Sequence, residues 1–263
     1  HLAGWPCDMD PIMALAKRHQ FKVIEDCAQA HSARYKNRSV GSIGHVGAWS
    51  FCQDKIMTTG GEGGMVTTND EGLWRAMWAY KDHGKSYAAV YERTHPKGFR
   101  WLHESFGTNW RMLEMQAVIG RIQLKRMRDW STMRAQHAEM IWAACRPFNA
   151  IRVPVVPADS THAHYKCYVY VQPDLLAAGW SRDRIVEAIV ALGVPCFQGS
   201  CSEVYLEKAF DATGWRPKER LPNARELGET SVMFLVHPTL TQSELTKTCQ
   251  VISDVLNKAC SNK

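Results

Sequence analysis

The chain has 263 residues, 45% hydrophobic and 22% charged, enough to bury a sizeable core in one large domain or two modest ones. An aromatic content of 10% and a mean hydropathy of −0.31 exclude a disordered chain. No uncharged stretch approaches the ~20 apolar residues of a membrane span. The 32 basic residues outnumber 26 acidic ones by six, too small an excess to point to nucleic acid. The densest basic run, Arg121 to Arg134, reads as a solvated helix face. Nine cysteines without a C-x-x-C pair, and His162-Ala163-His164 without further ligands at a usual spacing, predict no metal site. They read as reduced thiols of a cytoplasmic protein. The opening His1-Leu2-Ala3-Gly4 has neither an initiator Met nor a signal peptide, which predicts that the sequence starts part-way into a longer one.

In chain order, Asp10 and Pro11 predict a helix start, with Ile12, Leu15, Ala16 and His19 on one face. Phe21 to Ile24 then reads as a short buried strand ending at Glu25-Asp26, with further strands over 46–51 and 64–68. Helix, strand and little polar alternation predict an α/β fold with a mostly parallel sheet covered on both faces. A long helix is expected from Leu113 to Arg146, with Met112, Met115, Ile119 and Ile122 as a core stripe. Past Pro147 come strands at Ile151 to Pro154 and Tyr165 to Val171, then a helix capped by Ser181 and stopped at Gly193. Thr241-Gln242-Ser243-Glu244 is a capping-box pattern opening a last helix that buries Cys249, Ile252 and Leu256. The grouping predicts a large domain over 1–146 and a smaller α+β domain over 147–263.

The chemistry is concentrated between Glu25 and Met65. Asp26 ends one strand, Ser50-Phe51 ends the next, and Lys55 precedes the glycine-rich Thr58-Thr59-Gly60-Gly61-Glu62-Gly63-Gly64. That loop is neither a Walker loop nor a dinucleotide fingerprint. Carboxyl ends of parallel strands face the crevice where open α/β sheets bind ligands. A carboxylate on one strand end, with a hydroxyl and a lysine after the next, suits pyridoxal phosphate. That cofactor needs a lysine for its Schiff base, a carboxylate at its pyridine nitrogen and donors for its phosphate.

The segments Glu25-Asp26-Cys27-Ala28-Gln29-Ala30-His31, Ser50-Phe51-Cys52-Gln53-Asp54-Lys55, Thr59-Gly60-Gly61-Glu62-Gly63-Gly64-Met65 and Gly107-Thr108-Asn109-Trp110-Arg111-Met112 resemble those of the DegT/DnrJ/EryC1/StrS sugar aminotransferases. These are pyridoxal-phosphate enzymes of fold type I in the aspartate aminotransferase superfamily. The resemblance implies Lys55 as the Schiff-base lysine and Asp26 as the partner of the pyridine nitrogen. It places Gln29 over one face of the ring and Ser50 on the phosphate. Asn109 would reach the phosphate of the neighbouring subunit's cofactor in a homodimer with shared active sites. Arg111 reads as structural, and His31 fits the motif with no assigned role. The activity implied is transfer of an amino group from glutamate or glutamine to a nucleotide-linked keto sugar, in a pathway to polysaccharide or aminosugars. A cyclitol acceptor of the inosose type and a non-catalytic regulatory relative are the alternatives. A sugar dehydratase of the same fold is disfavoured by Lys55, because those relatives replace the lysine. Two positions depart from the family: Ser32 stands where Gly is usual and His45 where Asp is common. Relative to the family, the upstream segment carrying a phosphate turn and part of the substrate wall is expected to be absent.

Overall fold

A computed structural model describes residues 1–98 and 100–260. Its elements run α1 (Met9–His19), β1 (Ile24–Asp26), β2 (Arg34–Tyr35), β3 (Arg38–Ser39), β4 (Val46–Ser50), β5 (Gly64–Thr67), α2 (Glu71–Lys81) and α3 (Glu114–Cys145). They continue as β6 (Ile151–Arg152), β7 (Ser160–Thr161), β8 (Cys167–Val171), α4 (Arg182–Ala191), β9 (Cys196–Phe197), α5 (Pro222–Thr230), β10 (Ser231–Phe234) and α6 (Gln242–Ala259). Two compact units result. The first comprises residues 1–129 and 157–163, the second 130–156 and 164–263, so α3 contributes to both.

In the first unit β1, β4 and β5 form one sheet. β1 and β4 pair in parallel with Asp26 opposite Ala48, and β5 returns antiparallel to β4. A small antiparallel sheet, β3-β2-β7, packs Tyr35 with Met9 and Ile43. The N-cap of α1 lies two residues before the predicted Asp10. Asp8 holds the N-cap position, its carboxylate taken by the Tyr35 hydroxyl, while Asp10 pairs with Lys36 and Arg38. The helix ends at Gln20 in the left-handed region, and the Phe21 N–H turns back to the Ala16 carbonyl. Phe21 is therefore part of the helix end, and the strand begins three residues later than predicted.

Burial departs from the patterning at several positions. α1 buries Met9 and Ala16, while Ile12 and Leu15 face outward. Ile24 on β1 is 69% exposed and Met65 on β5 53%, so these two strand positions are open rather than buried. On α3, Met115 and Ile122 are 73% and 49% exposed, so the stripe exists but is not core. Periodicity marks a helix face as apolar; whether another element covers that face depends on distant chain.

In the second unit β6, β8, α4 and α6 lie where the patterning predicts, while β9, α5 and β10 are further elements. Four antiparallel strands in the order β6-β8-β10-β9 carry Val169, Val171, Val232 and Phe234 into a core with Ile141, Ile185 and Ile252. The alternation along β8 puts Cys167, Val169 and Val171 inside. The Trp142 indole N–H satisfies the Tyr168 carbonyl at 3.1 Å. Cys145, Cys167 and Cys196 lie in this core as free thiols, and burial pushes Cys145 and Cys196 up to about 12 and Cys167 well above its usual value. Ser181 caps α4 by accepting from Arg184 N–H.

The capping box of α6 is complete: Thr241 Oγ1 accepts from Glu244 N–H at 3.3 Å, and Glu244 Oε2 accepts from Thr241 N–H at 2.7 Å. Thr241→Ala is expected to lower stability by about 1 kcal/mol, read from the midpoint of a denaturant titration with unchanged slope.

Candidate active site

The parallel pairing of β1 and β4 brings their carboxyl ends to one edge of the sheet. Asp26 is the last residue of β1 and Ser50 the last of β4, and the Cys27 N–H bonds the Ala48 carbonyl at 2.8 Å. Asp26 is exposed, with Oδ1 accepting from Ala28 N–H at 3.0 Å, which holds the carboxylate at the edge of the sheet. Ser50 Oγ accepts from Cys52 N–H at 3.3 Å, leaving its hydroxyl proton to donate elsewhere. Gln29 Oε1 takes the Ala3 N–H at 2.7 Å, so its side chain has a fixed position beside the strand end. His31 is buried, with its ring 5.3 Å from that of Trp49 and 5.9 Å from that of Phe51.

Lys55 follows Ser50 in the long connection to β5. Its N–H bonds the Cys52 carbonyl, and its Nζ lies 3.7 Å from Asp54 Oδ1 with 17% of the side chain exposed. The connection closes on itself: Thr58 Oγ1 and Thr59 N–H both reach the Phe51 carbonyl, and Phe51 N–H reaches Gly63. Gly60 and Gly61 adopt positive φ, and a Cβ on Gly63 would collide with the buried Thr59 hydroxyl.

Beneath the edge, Glu25 is buried and accepts four hydrogen bonds, from the N–H groups of Gly41, Ile43 and Gly44 and from the His1 ring. His1 Nδ1 accepts from Cys7 N–H, and the ring donates through Nε2 to Glu25. Burial alone would raise the Glu25 carboxyl, but these donors outweigh it and hold the group below its usual value. His1, Glu25 and Cys27 place three potential ligand atoms within 4.8 Å, yet the four donors already occupy the lone pairs of Glu25.

The two departures from the family pattern are accommodated locally. Ser32 sits at φ +73°, the left-handed region that glycine occupies without strain. His45 uses Nδ1 to accept from Val23 N–H at 2.9 Å.

Asn109 is held on a different segment. His83 N–H bonds Thr108 O, Thr108 N–H bonds Tyr80 O, and Trp110 N–H bonds Lys81 O, so Asn109 lies in a bridge opposite Asp82 at the end of α2. Gly84 and Gly107 permit this approach, since a Cβ on either would strike backbone. Among the described residues, none of the hydrogen bonds of Asn109 is to Asp26, Ser50 or Lys55. The structure thus groups those three along one sheet edge and loop, and ties Asn109 to α2. Sequence reasoning missed two buried acids, Glu25 and Asp82. The signal for Asp82 was present: a lone acid among cations in Lys81-Asp82-His83-Gly84-Lys85, directly at a helix end.

A carboxylate and a hydroxyl on adjacent parallel strand ends, followed by a sheltered lysine, match the α/β transferase fold of the pyridoxal-phosphate type, fold type I. The chain belongs to the DegT/DnrJ/EryC1/StrS aminotransferase family, which it matches over residues 1–253. It is similar to the X-ray structure of the aminotransferase from Psychrobacter cryohalolentis, with 69% identity, a TM-score of 0.94, and 98% of this chain and 67% of that one covered. It is 31% identical over 263 residues to the spore coat polysaccharide biosynthesis protein SpsC of Bacillus subtilis, covering 98% of this chain and 66% of that protein. It is 34% identical over 197 residues to GDP-perosamine synthase of Caulobacter vibrioides, covering 74% of this chain and 49% of that one. The chain therefore spans two thirds or less of the length of these two curated relatives. No helix among the described residues is long and apolar enough to cross a membrane.

Proposed function

We propose that the chain carries the active site of a pyridoxal-phosphate-dependent aminotransferase that moves an amino group from glutamate or glutamine to a nucleotide-linked keto sugar. The observation that carries the reading is the juxtaposition of Asp26 and Ser50 at one carboxyl edge with Lys55 in the loop that follows. The donor set fits the cofactor: Asp26 can hold a proton on the pyridine nitrogen, and the Ser50 hydroxyl can donate to a phosphate. Gln29, fixed by Ala3, can lie against the ring. When bound, pyridoxal phosphate supplies an electron sink that eases proton removal beside the reacting nitrogen. Lys55 Nζ is the group placed to bind the cofactor and then to take and return that proton.

The names of the relatives, one a perosamine synthase and one a spore coat polysaccharide protein, support a sugar acceptor and a role in polysaccharide or aminosugar synthesis. We read Asn109 as a phosphate donor to the site of a second copy, in a homodimer with shared sites. Free thiols at all nine cysteines support a cytoplasmic setting.

The test is the half-reaction. Adding glutamate or glutamine to the loaded protein should abolish the cofactor's visible absorption band, and a nucleotide keto sugar should restore it. Restoration by an inosose alone would move the acceptor to the cyclitols. A bound cofactor whose band responds to neither donor would replace the enzyme by a binding module.

A further inference from the structure

Asn109 is oriented as well as anchored. Arg111 Nε donates to Asn109 Oδ1 at 3.1 Å, and the Arg111 backbone N–H points to the same oxygen at 3.4 Å. The guanidinium is itself fixed. Its Nη2 donates to His83 Nε2 at 3.1 Å, and its Nη1 lies 3.7 Å from the carboxylate of Asp82, which is buried and also meets Lys81 and Lys85. A guanidinium carries only donors, so an amide facing it must present its oxygen. The oxygen of Asn109 is therefore occupied, and its two N–H donors are turned to the other side on an exposed residue. What such a group recognises is an acceptor, and an anionic oxygen takes the strongest bond of that kind. An unclamped amide would also sample the flipped orientation, which aims its oxygen at the anion and repels it.

We propose that Arg111, clamped by Asp82 and His83, is a positioning residue that sets Asn109 to donate its amide N–H groups to an anionic oxygen, the phosphate of the cofactor. This rests on the reading of the chain as a pyridoxal-phosphate protein and adds to it the device that determines which way Asn109 faces. Arg111 itself touches no phosphate; it acts through the amide.

Pyridoxal, which lacks the phosphate but keeps the aldehyde and ring, separates this role from a general structural one. In the full chain, the affinities for pyridoxal phosphate and for pyridoxal are measured by absorbance titration of wild type, Asn109→Ala, Arg111→Lys, the double variant and Asn109→Asp. Asn109→Ala and Arg111→Lys should each weaken pyridoxal phosphate about tenfold or more, the worth of a hydrogen bond to a charged group, and leave pyridoxal unchanged. The double variant should be no weaker than Asn109→Ala alone. Asn109→Asp keeps an acceptor for Arg111 but offers no donor. It should melt like wild type and bind pyridoxal phosphate no better than Asn109→Ala. Equal losses for both compounds in Arg111→Lys would make the arginine merely structural, and additive losses in the double variant would make it a ligand in its own right; either overturns the proposal. If wild type binds neither compound, the underlying reading falls and the proposal with it. That result is distinct from a failure of the clamp, in which wild type binds pyridoxal phosphate tightly.

Discussion

Lys55→Ala is expected to lower amino transfer at least about a thousandfold, the scale set by loss of a positioned acid–base group that also anchors the cofactor. The same substitution should remove the covalent adduct that borohydride fixes on the wild-type chain, which peptide mass spectrometry should locate at Lys55. The reason is positional: Lys55 lies five residues after Ser50, at the carboxyl end of its strand, and is sheltered by a loop closed on Phe51. Lys81 and Lys85 both face the Asp82 carboxylate, at 3.5 and 3.8 Å, and are held as its counter-ions. Lys55→Arg should fare no better than Ala, because a guanidinium neither forms the bond nor gives up its proton. An adduct on Lys81 or Lys85 would overturn the assignment.

Glu25→Ala is expected to cost about 3–5 kcal/mol of stability, the scale for removing one partner of a buried charged network. It would leave the Gly41, Ile43 and Gly44 N–H groups and the His1 ring without their acceptor in a water-poor site. Glu25→Gln, which keeps one acceptor oxygen, should lose less. The pH dependence follows from the depressed carboxyl. A folded-state pKa below the unfolded value means that the contribution is complete above the unfolded pKa of about 4.5 and fades as pH falls through the folded one. Thermal melts from neutral pH downward should therefore show the gap between wild type and Glu25→Ala narrowing in acid. A gap that stays constant into strong acid would show that the carboxylate charge is not the source.

What the sequence made legible was local. The capping box at Thr241, the Ser181 cap and the alternation of β8 each depend on residues within a few positions of one another, and each is present. The placement of Asp26 and Ser50 was readable because two neighbouring strand ends carry them, so a parallel pairing suffices to bring them to one edge, with Lys55 in the loop that follows. Orientation and cover were not readable. Nothing in Gly64-Met65-Val66-Thr67 states that β5 returns antiparallel, and the apolar spacing of Met115, Ile119 and Ile122 is silent about what lies opposite. Asp82 went unnoticed for a related reason. A single aspartate among lysines reads as surface charge until burial shows that the cations are gathered around it.

The free cysteines give the molecule a set of internal clocks. Cys27 is sealed in the first unit and Cys145, Cys167 and Cys196 in the second, while Cys7 and Cys201 are open to solvent. A thiolate is the reactive form, so a thiol both buried and raised in pKa reacts only when its surroundings open. A brief exposure to an alkylating reagent therefore marks the two outer sites at once and the inner ones at the rate of local opening. Because the sealed thiols fall in different units, the pattern of marks over time reads the opening of each unit separately, with no label added to the chain.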